Sequence, residues 1–106
     1  MTGGAINRLT LFKIPQDEDQ EKLLSIYREM PSRAVKDGKP YIRSVTAGKA
    51  KNDQRAQGYT VAVVSVFESE ADMVYYDNEC AAHQNLKAFA KTVHHGAMMV
   101  FFENEI

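Results

Sequence analysis

Hydrophobic positions along the chain follow a strand-like pattern in four segments. Residues 6–14, 59–67 and 97–103 are rich in β-branched and aromatic side chains, and they are apolar at positions that point to both faces of a strand. Residues 41–49 are more polar, which is typical of an edge strand. The pattern therefore predicts four strands, three of them apolar on both sides.

Between these strands the apolar positions recur with helical spacing. Asp17 offers an N-cap oxygen to a first helix, which we expect to end by Lys36, before an Asp-Gly pair and a proline. Ser69 is predicted to cap a second helical region that runs to about His94, with a possible kink near residues 77–78. The polar, aperiodic residues 51–58 are interpreted as a loop.

The predicted order is β, α, β, β, α, β, the split pattern of a ferredoxin-like α+β domain. Such a domain places two helices on one face of a four-stranded antiparallel sheet. A chain of 106 residues has the size of one domain. We expect that domain to span residues 6–104, after a flexible start over residues 1–5.

Two helices can cover only one face of this sheet, so the other face is expected to be apolar and uncovered. The residues predicted to face the helices are Arg8, Thr10, Phe12, Val63, Phe67, Val100 and Phe102. Those predicted to face away are Leu9, Leu11, Ala62, Val64, Val66, Met99 and Phe101. The second set would exceed the roughly 300–600 Å² of the largest apolar patch on a typical monomer. A homodimer with sheet against sheet, a dimeric α/β barrel, is the simplest cover; a slightly apolar surface or a folded-over C-terminus are the alternatives.

Composition narrows the partners and the compartment. Lys and Arg number 13 against 14 Asp and Glu, a net charge of −1, so a nucleic-acid partner is not expected. No apolar run approaches the ~20 residues of a membrane-spanning helix, and the start does not resemble a targeting peptide. The single cysteine, Cys80, agrees with a reducing compartment. We therefore expect a cytoplasmic protein without a membrane partner.

One stripe of the second helical region carries the candidate chemistry. If that region is roughly continuous, helical spacing brings five residues near one face: Met73, Tyr76, Cys80, His83 and Ala90. Tyr76 and His83 would then point inward together. No metal-ligand spacing, phosphate-binding glycine loop or nucleophile motif is present, and no cofactor is predicted. His94 and His95 are interpreted as complementing a helix dipole.

Three segments, residues 8–15, 58–69 and 75–83, resemble the stress-responsive A/B barrel (Dabb) family, in particular its short single-domain fungal members. The tyrosine followed by histidine in the third segment is the most specific part. The resemblance implies a dimeric α/β barrel. The functions it implies are divided between stress-induced proteins without assigned chemistry and a few enzymes, among them a plant polyketide cyclase.

The resemblance also implies site residues. In the cyclase of this family a tyrosine and a histidine position the substrate and act as general base, and they correspond here to Tyr76, or to Tyr75 with one extra residue, and to His83. Tyr27 matches a pocket-lining position. Arg8 stands where the cyclase has a histidine, and it would suit a carboxylate or another anion.

Several functions stay open from the sequence. One is a non-catalytic stress-response dimer that binds a small apolar or aromatic metabolite. Another is a cofactor-independent cyclase, lyase or isomerase that acts on a polyketide-like or aromatic acid, with His83 as base and Tyr76 and Arg8 as oxyanion or carboxylate partners. A cofactor-free monooxygenase is a third. The structural alternative is that Tyr76 and His83 are buried polar residues that satisfy each other or the backbone, with Arg8 solvated at a strand end.

Overall fold

The computed structural model describes residues 4–106, so residues 1–3 of the predicted flexible start lie outside the described part. The elements in chain order are β1 (Ile6–Phe12), α1 (Asp17–Arg33), β2 (Val35–Lys36), β3 (Lys39–Pro40), β4 (Ile42–Lys49), a 3₁₀ turn (Gln54–Ala56), β5 (Val61–Phe67), α2 (Glu70–Asn78), α3 (Ala81–Val93) and β6 (Ala97–Glu103).

The main sheet has four antiparallel strands in the order β4-β5-β1-β6. The two strands with the strongest apolar alternation, β5 and β1, are central, and the polar β4 lies at an edge. Alternate residues of β1 and β5 are buried, beginning with Ile6 and Val61, because helices cover that face of the sheet. The predicted ferredoxin-like α+β fold is confirmed.

The first helix differs from the prediction at its start. Gln16, rather than Asp17, holds the cap position, and no side chain caps the helix there. The helix continues through Pro31 and ends at Arg33, within the predicted limit of Lys36. The next residues instead form the small β2–β3 hairpin, because an Asp-Gly pair with positive φ at both positions, 53° and 77°, makes a tight hairpin turn.

The second helical region is two helices. Ser69 caps α2 as predicted, since its hydroxyl accepts from the Asp72 N–H at 3.2 Å. The predicted kink is a full break just beyond residues 77–78. The N–H groups of Glu79 and Cys80 both donate to the Tyr75 carbonyl, at 2.7 and 3.1 Å, which ends α2 and lets α3 start in a new direction.

The edge strand β6 has the opposite orientation to the one predicted. In the antiparallel register Val100 lies opposite Leu9 and Met99 lies opposite Thr10, and directly opposed residues share a face. Met99 and Phe101 therefore lie on the helix side, while Val100 and Phe102 lie on the outer face. Alternation alone could not choose between the two, because every residue from 97 to 102 is apolar.

Among residues 4–106 no helix or loop covers the outer face of the sheet. It is largely apolar, and its β6 residues Met98, Val100 and Phe102 are 47%, 50% and 51% exposed. The outer side chains of β1 and β5 are partly buried by their neighbours within the sheet. Across residues 4–106, no helix combines the length and apolar character needed to cross a membrane.

Candidate functional site

A cleft of about 390 Å³ opens between α3 and the β1–β6 side of the sheet. Its apolar lining comprises Phe12, Leu86, Ala90, Ala97, Met98 and Met99. Its polar lining comprises Arg8, Thr10, Tyr27, His83, Lys87, Lys91 and His94. A groove of about 380 Å³ on the other side of α3, against α1, is lined by none of the predicted site residues. The cleft is therefore the candidate site.

His83, in the first turn of α3, is only 3% exposed. Its Nδ1 lies 2.9 Å from the backbone carbonyl oxygen of Tyr76. Because a carbonyl only accepts, Nδ1 carries the proton and donates, and Nε2 keeps a free lone pair. Burial, with smaller effects of the Arg8 and Lys87 charges, lowers the pKa of His83 to about 4. The imidazole is therefore neutral at pH 7.

Tyr76 lies beneath this imidazole rather than in the cleft wall. The two rings stack with centroids 3.6 Å apart and planes 9° apart. The other neighbours of the Tyr76 ring are Phe67, at 5.2 Å between centroids, and the Arg8 guanidinium carbon, at 5.3 Å from the ring centre. Burial raises the pKa of Tyr76, so the phenol stays protonated. Tyr76 thereby fixes the position of His83.

Arg8 is buried in the central strand β1, with 8% of its surface exposed. Its Nη1 donates to Asp77 Oδ2 at 2.9 Å, which joins the sheet to the last turn of α2. The other carboxylate oxygen of Asp77, Oδ1, lies 3.7 Å from His83 Nδ1. Arg8 is thus paired and enclosed, and the alternative that it is solvated at a strand end is wrong.

The two remaining predicted residues lie in different places. Tyr27, on α1, lines the cleft and packs against Phe12 at 6.4 Å between ring centroids. Burial raises its pKa, partly opposed by the Arg8 charge, so its hydroxyl remains a donor. The Tyr75 hydroxyl instead donates to the Val35 carbonyl at 3.2 Å, beside the small hairpin. The structure brings Arg8, Tyr27, Tyr76 and His83 together, and it places Tyr75 outside the cleft.

The site also contains four residues to which the sequence pattern assigned no chemical role. The sequence pattern places Asp77 only in a kink and His94 only beside a helix dipole, and it predicts no role for Lys87 or Lys91. In the structure His94, Lys87 and Lys91 line the cleft. The available signal is spacing, since residues 83, 87, 91 and 94 recur at one-turn intervals on one side of a helix. Within residues 4–106 no group of three His, Cys, Asp or Glu side chains is arranged to hold a metal ion.

Fold and site together define a ferredoxin-like α+β domain with a partly polar cleft between its helices and sheet. Residues 6–104 match the sequence pattern of the stress responsive A/B barrel domain, Dabb. A fusaristatin A biosynthesis cluster protein of Gibberella zeae is 39% identical over 99 residues, which are 92% of this chain and 72% of that protein. The chain belongs to the stress-responsive A/B barrel family.

Solved structures share the fold at low sequence identity. The hydroxynitrile lyase of Passiflora edulis has a TM-score of 0.82 at 14% identity, covering 99% of this chain and 98% of the lyase. A dimeric ferredoxin-like protein of unknown function from Thermobifida fusca has a TM-score of 0.77 at 19% identity, covering 98% of this chain and 94% of that chain. These similarities concern the fold alone.

Proposed function

We propose that the protein is a homodimer that binds a small apolar or aromatic metabolite in the cleft between α3 and the sheet. The observation that carries this proposal is the composition of the cleft, where apolar side chains such as Leu86 and Met99 surround a few polar groups. Small-molecule sites have this composition, and they usually enclose about 300–1,000 Å³. The cleft volume of about 390 Å³ suits a compact ligand.

The homodimer is part of the proposal because the outer sheet face needs a cover. Three β6 residues that are about half exposed lie beside the apolar outer residues of β1, which in turn lie beside those of β5. The dimeric Thermobifida fusca protein has the same fold. When two copies pack sheet against sheet into an α/β barrel, each copy covers the outer sheet face of the other.

A second candidate function, cofactor-independent acid–base catalysis, is favoured by the state of His83. With Nδ1–H donated to the Tyr76 carbonyl, Nε2 is the basic atom of a residue that lines the cleft. Tyr27 lines the same cleft with a protonated hydroxyl. A neutral base and a hydrogen-bond donor in one cleft are the two groups that enolate formation needs.

The catalytic step uses these two groups in sequence. His83 Nε2 takes a proton from the carbon beside a substrate carbonyl, and the C–H electron pair moves onto the carbonyl oxygen as an enolate. Tyr27 donates a hydrogen bond to that oxygen, and the Asp77 carboxylate, 3.7 Å from Nδ1, stabilises the imidazolium. In a substrate with a carbon–carbon double bond conjugated to the enolate, the charge extends to the γ carbon, and return of the proton to that carbon completes an isomerisation. Attack of the enolate on a second carbonyl, with that proton passing to the new alkoxide, closes a ring.

The relatives support small-molecule chemistry. One is named for a biosynthesis cluster and another is a hydroxynitrile lyase. Both names suit a chain that handles an organic metabolite. A polyketide-like or aromatic acid as the substrate of a cyclase-type enzyme is taken from the sequence resemblance and belongs to the same proposal. A cytoplasmic site of action, taken from the sequence, belongs to the same proposal.

An NMR titration tests the binding function. The uniformly ¹⁵N-labelled dimer is titrated with 2-naphthalenemethanol, a neutral aromatic probe, and with 2-naphthoate. The proposal predicts saturable shifts of cleft residues such as Leu86, Ala90 and Met99, with Ser25 and Glu29 of the α1–α3 groove as the internal control. Absence of saturable shifts with both probes, or shifts confined to the groove, would overturn it.

Deuterium exchange tests catalysis. Phenylpyruvate in D₂O is an aromatic acid with exchangeable protons beside a carbonyl, and its exchange is followed by ¹H NMR with and without protein. We expect acceleration by the wild type, loss of it in His83→Asn, and retention of it in His95→Asn, which changes an exposed histidine outside the cleft lining. Exchange at the buffer rate with wild type, or equal rates for His83→Asn and wild type, would remove catalysis and leave the binding function.

A further inference from the structure

The charges that line the cleft are all positive. Arg8, Lys87 and Lys91 line it, and no Asp or Glu does. The charge of Arg8 is compensated by the Asp77 carboxylate, with which Arg8 forms a 2.9 Å ion pair. Within residues 4–106 neither lysine lies within ion-pair distance of a carboxylate. The uncompensated charge of the cleft is therefore carried by the two lysines rather than by Arg8.

These lysines continue a stripe that begins at His83. Residues 83, 87 and 91 are four apart on α3, so their side chains lie one above another on one side of the helix. Lys87 Nζ donates one hydrogen bond to the Asp77 backbone carbonyl at 2.9 Å, which holds the ammonium group beside the Arg8–Asp77 pair. The other two N–H groups of this ammonium can donate to a ligand. Both lysines are exposed and form the rim of the cleft, where a ligand meets them first.

His94 ends the stripe with a polar atom that lacks a partner. It follows α3 directly and lines the cleft beside Phe12, at 6.1 Å between ring centroids. Its Nδ1 is buried, and no donor or acceptor within residues 4–106 reaches it. Buried polar atoms are nearly always hydrogen-bonded in native proteins. Because Nδ1 is enclosed, a ligand oxygen in this end of the cleft would supply the missing bond only after the imidazole turns toward the cleft.

We propose that Lys87, Lys91 and His94 form a carboxylate-binding rim, which makes the ligand of the cleft an apolar or aromatic acid and points the remainder of that ligand toward His83. This inference rests on the proposed binding function and names its substrate class. It also assigns the anion to the α3 rim instead of to Arg8, whose charge Asp77 already holds. Lysines at an open rim suit a carboxylate because they act as point charges and tolerate several approach directions.

Paired probes test the rim. Isothermal titration on the protein of residues 1–106 compares 2-naphthoate with 2-naphthalenemethanol, two ligands of similar shape that differ in charge. The variants are Lys87→Met and Lys91→Met, which keep an unbranched apolar side chain, and His94→Phe, which keeps an aromatic ring against Phe12. Lys51→Met is the matched control, because Lys51 is an exposed loop lysine outside the cleft lining.

The expected result is tighter binding of naphthoate than of the alcohol by about tenfold, which a charge-assisted contact supplies. Each rim variant should weaken naphthoate binding by about threefold more than it weakens binding of the alcohol, and it should reduce the salt dependence of naphthoate binding. Lys51→Met should change neither. Equal affinity for both probes, or rim variants that behave like Lys51→Met, would overturn the rim while the binding function stands. Failure of both probes to bind would overturn the binding function itself.

Discussion

At the scale of single residues, the burial of His83 links stability to pH. Its pKa is about 4 in the folded protein and about 6.5 in an unfolded chain. As the pH falls below 6.5 the unfolded state takes up the proton first, so stability is lost between about pH 6.5 and pH 4. This one group accounts for about 2–3 kcal/mol of destabilisation per protomer at pH 4.5 relative to pH 7.

His83→Asn isolates that contribution. Asparagine keeps an N–H donor for the Tyr76 carbonyl but does not titrate, so the variant should be less stable than wild type at pH 7 and lose less stability on acidification. Urea unfolding of both proteins at pH 7 and pH 4.5 measures the difference in acid sensitivity. Parallel losses in the two proteins would show that His83 is not the titrating group.

The different burial of Arg8 and Asp77 predicts which substitution in this ion pair lowers the free energy of unfolding more. Arg8 is the more enclosed residue, with side-chain exposures of 10% for Arg8 and 31% for Asp77. Asp77→Asn leaves a buried guanidinium without a counter-charge and should cost about 2 kcal/mol, whereas Arg8→Met leaves a carboxylate that water can reach and should cost less. Urea unfolding at pH 7 ranks the variants, and the reverse ranking would contradict this assignment.

The sequence predicts part of this residue-scale arrangement. Tyr76 and His83 are seven positions apart, close to two helical turns, and both are buried as the stripe requires. The direct stacking of their rings depends on the break between α2 and α3, and this break cannot be predicted from helical spacing. The partner of Arg8 is equally inaccessible to sequence reasoning, because Asp77 is 69 residues away in the chain and the pair exists only once the sheet and α2 are packed together.

At the scale of elements, the β2–β3 hairpin offers a direct test of local backbone chemistry. Gly38 has φ of 77°, and a Cβ added there would meet no atom of a non-neighbouring residue within 4 Å, so the only penalty for a larger residue is conformational. Gly38→Ala should cost about 1 kcal/mol, and Gly38→Asn should cost less because asparagine tolerates positive φ. Thermal unfolding of the two variants measures this, and equal losses would contradict a turn of this type.

The elements also show where periodicity stops being informative. Asp37-Gly38 predicts a helix stop when it follows a helical pattern, although the same pair is a strong hairpin signal. In β6 each residue from 97 to 102 is apolar, so its orientation comes from the hydrogen-bond register with β1 and not from its own pattern. By contrast, β1 and β5 alternate as predicted, and Phe12, Val63 and Phe67 lie on the buried side that was assigned to them.

At the scale of the whole molecule, the two sides of β6 should respond differently to charge. Val100 and Phe101 are neighbours with similar exposure, 50% and 42%, but Val100 lies on the outer face and Phe101 on the helix side. Val100→Glu should therefore disrupt a sheet-against-sheet dimer by leaving an unpaired charge in the interface. Phe101→Glu should leave the dimer intact. Size-exclusion chromatography compares them, and dissociation by Phe101→Glu alone would place the interface elsewhere.

We expect one chain to be incomplete until a second copy covers its outer sheet face, and sedimentation equilibrium of the wild-type protein at micromolar concentration tests this most directly. The expected result is a single species of about twice the 11.9 kDa chain mass, because burial of an apolar face of this kind drives stable association. A folded species at the mass of one chain would contradict it.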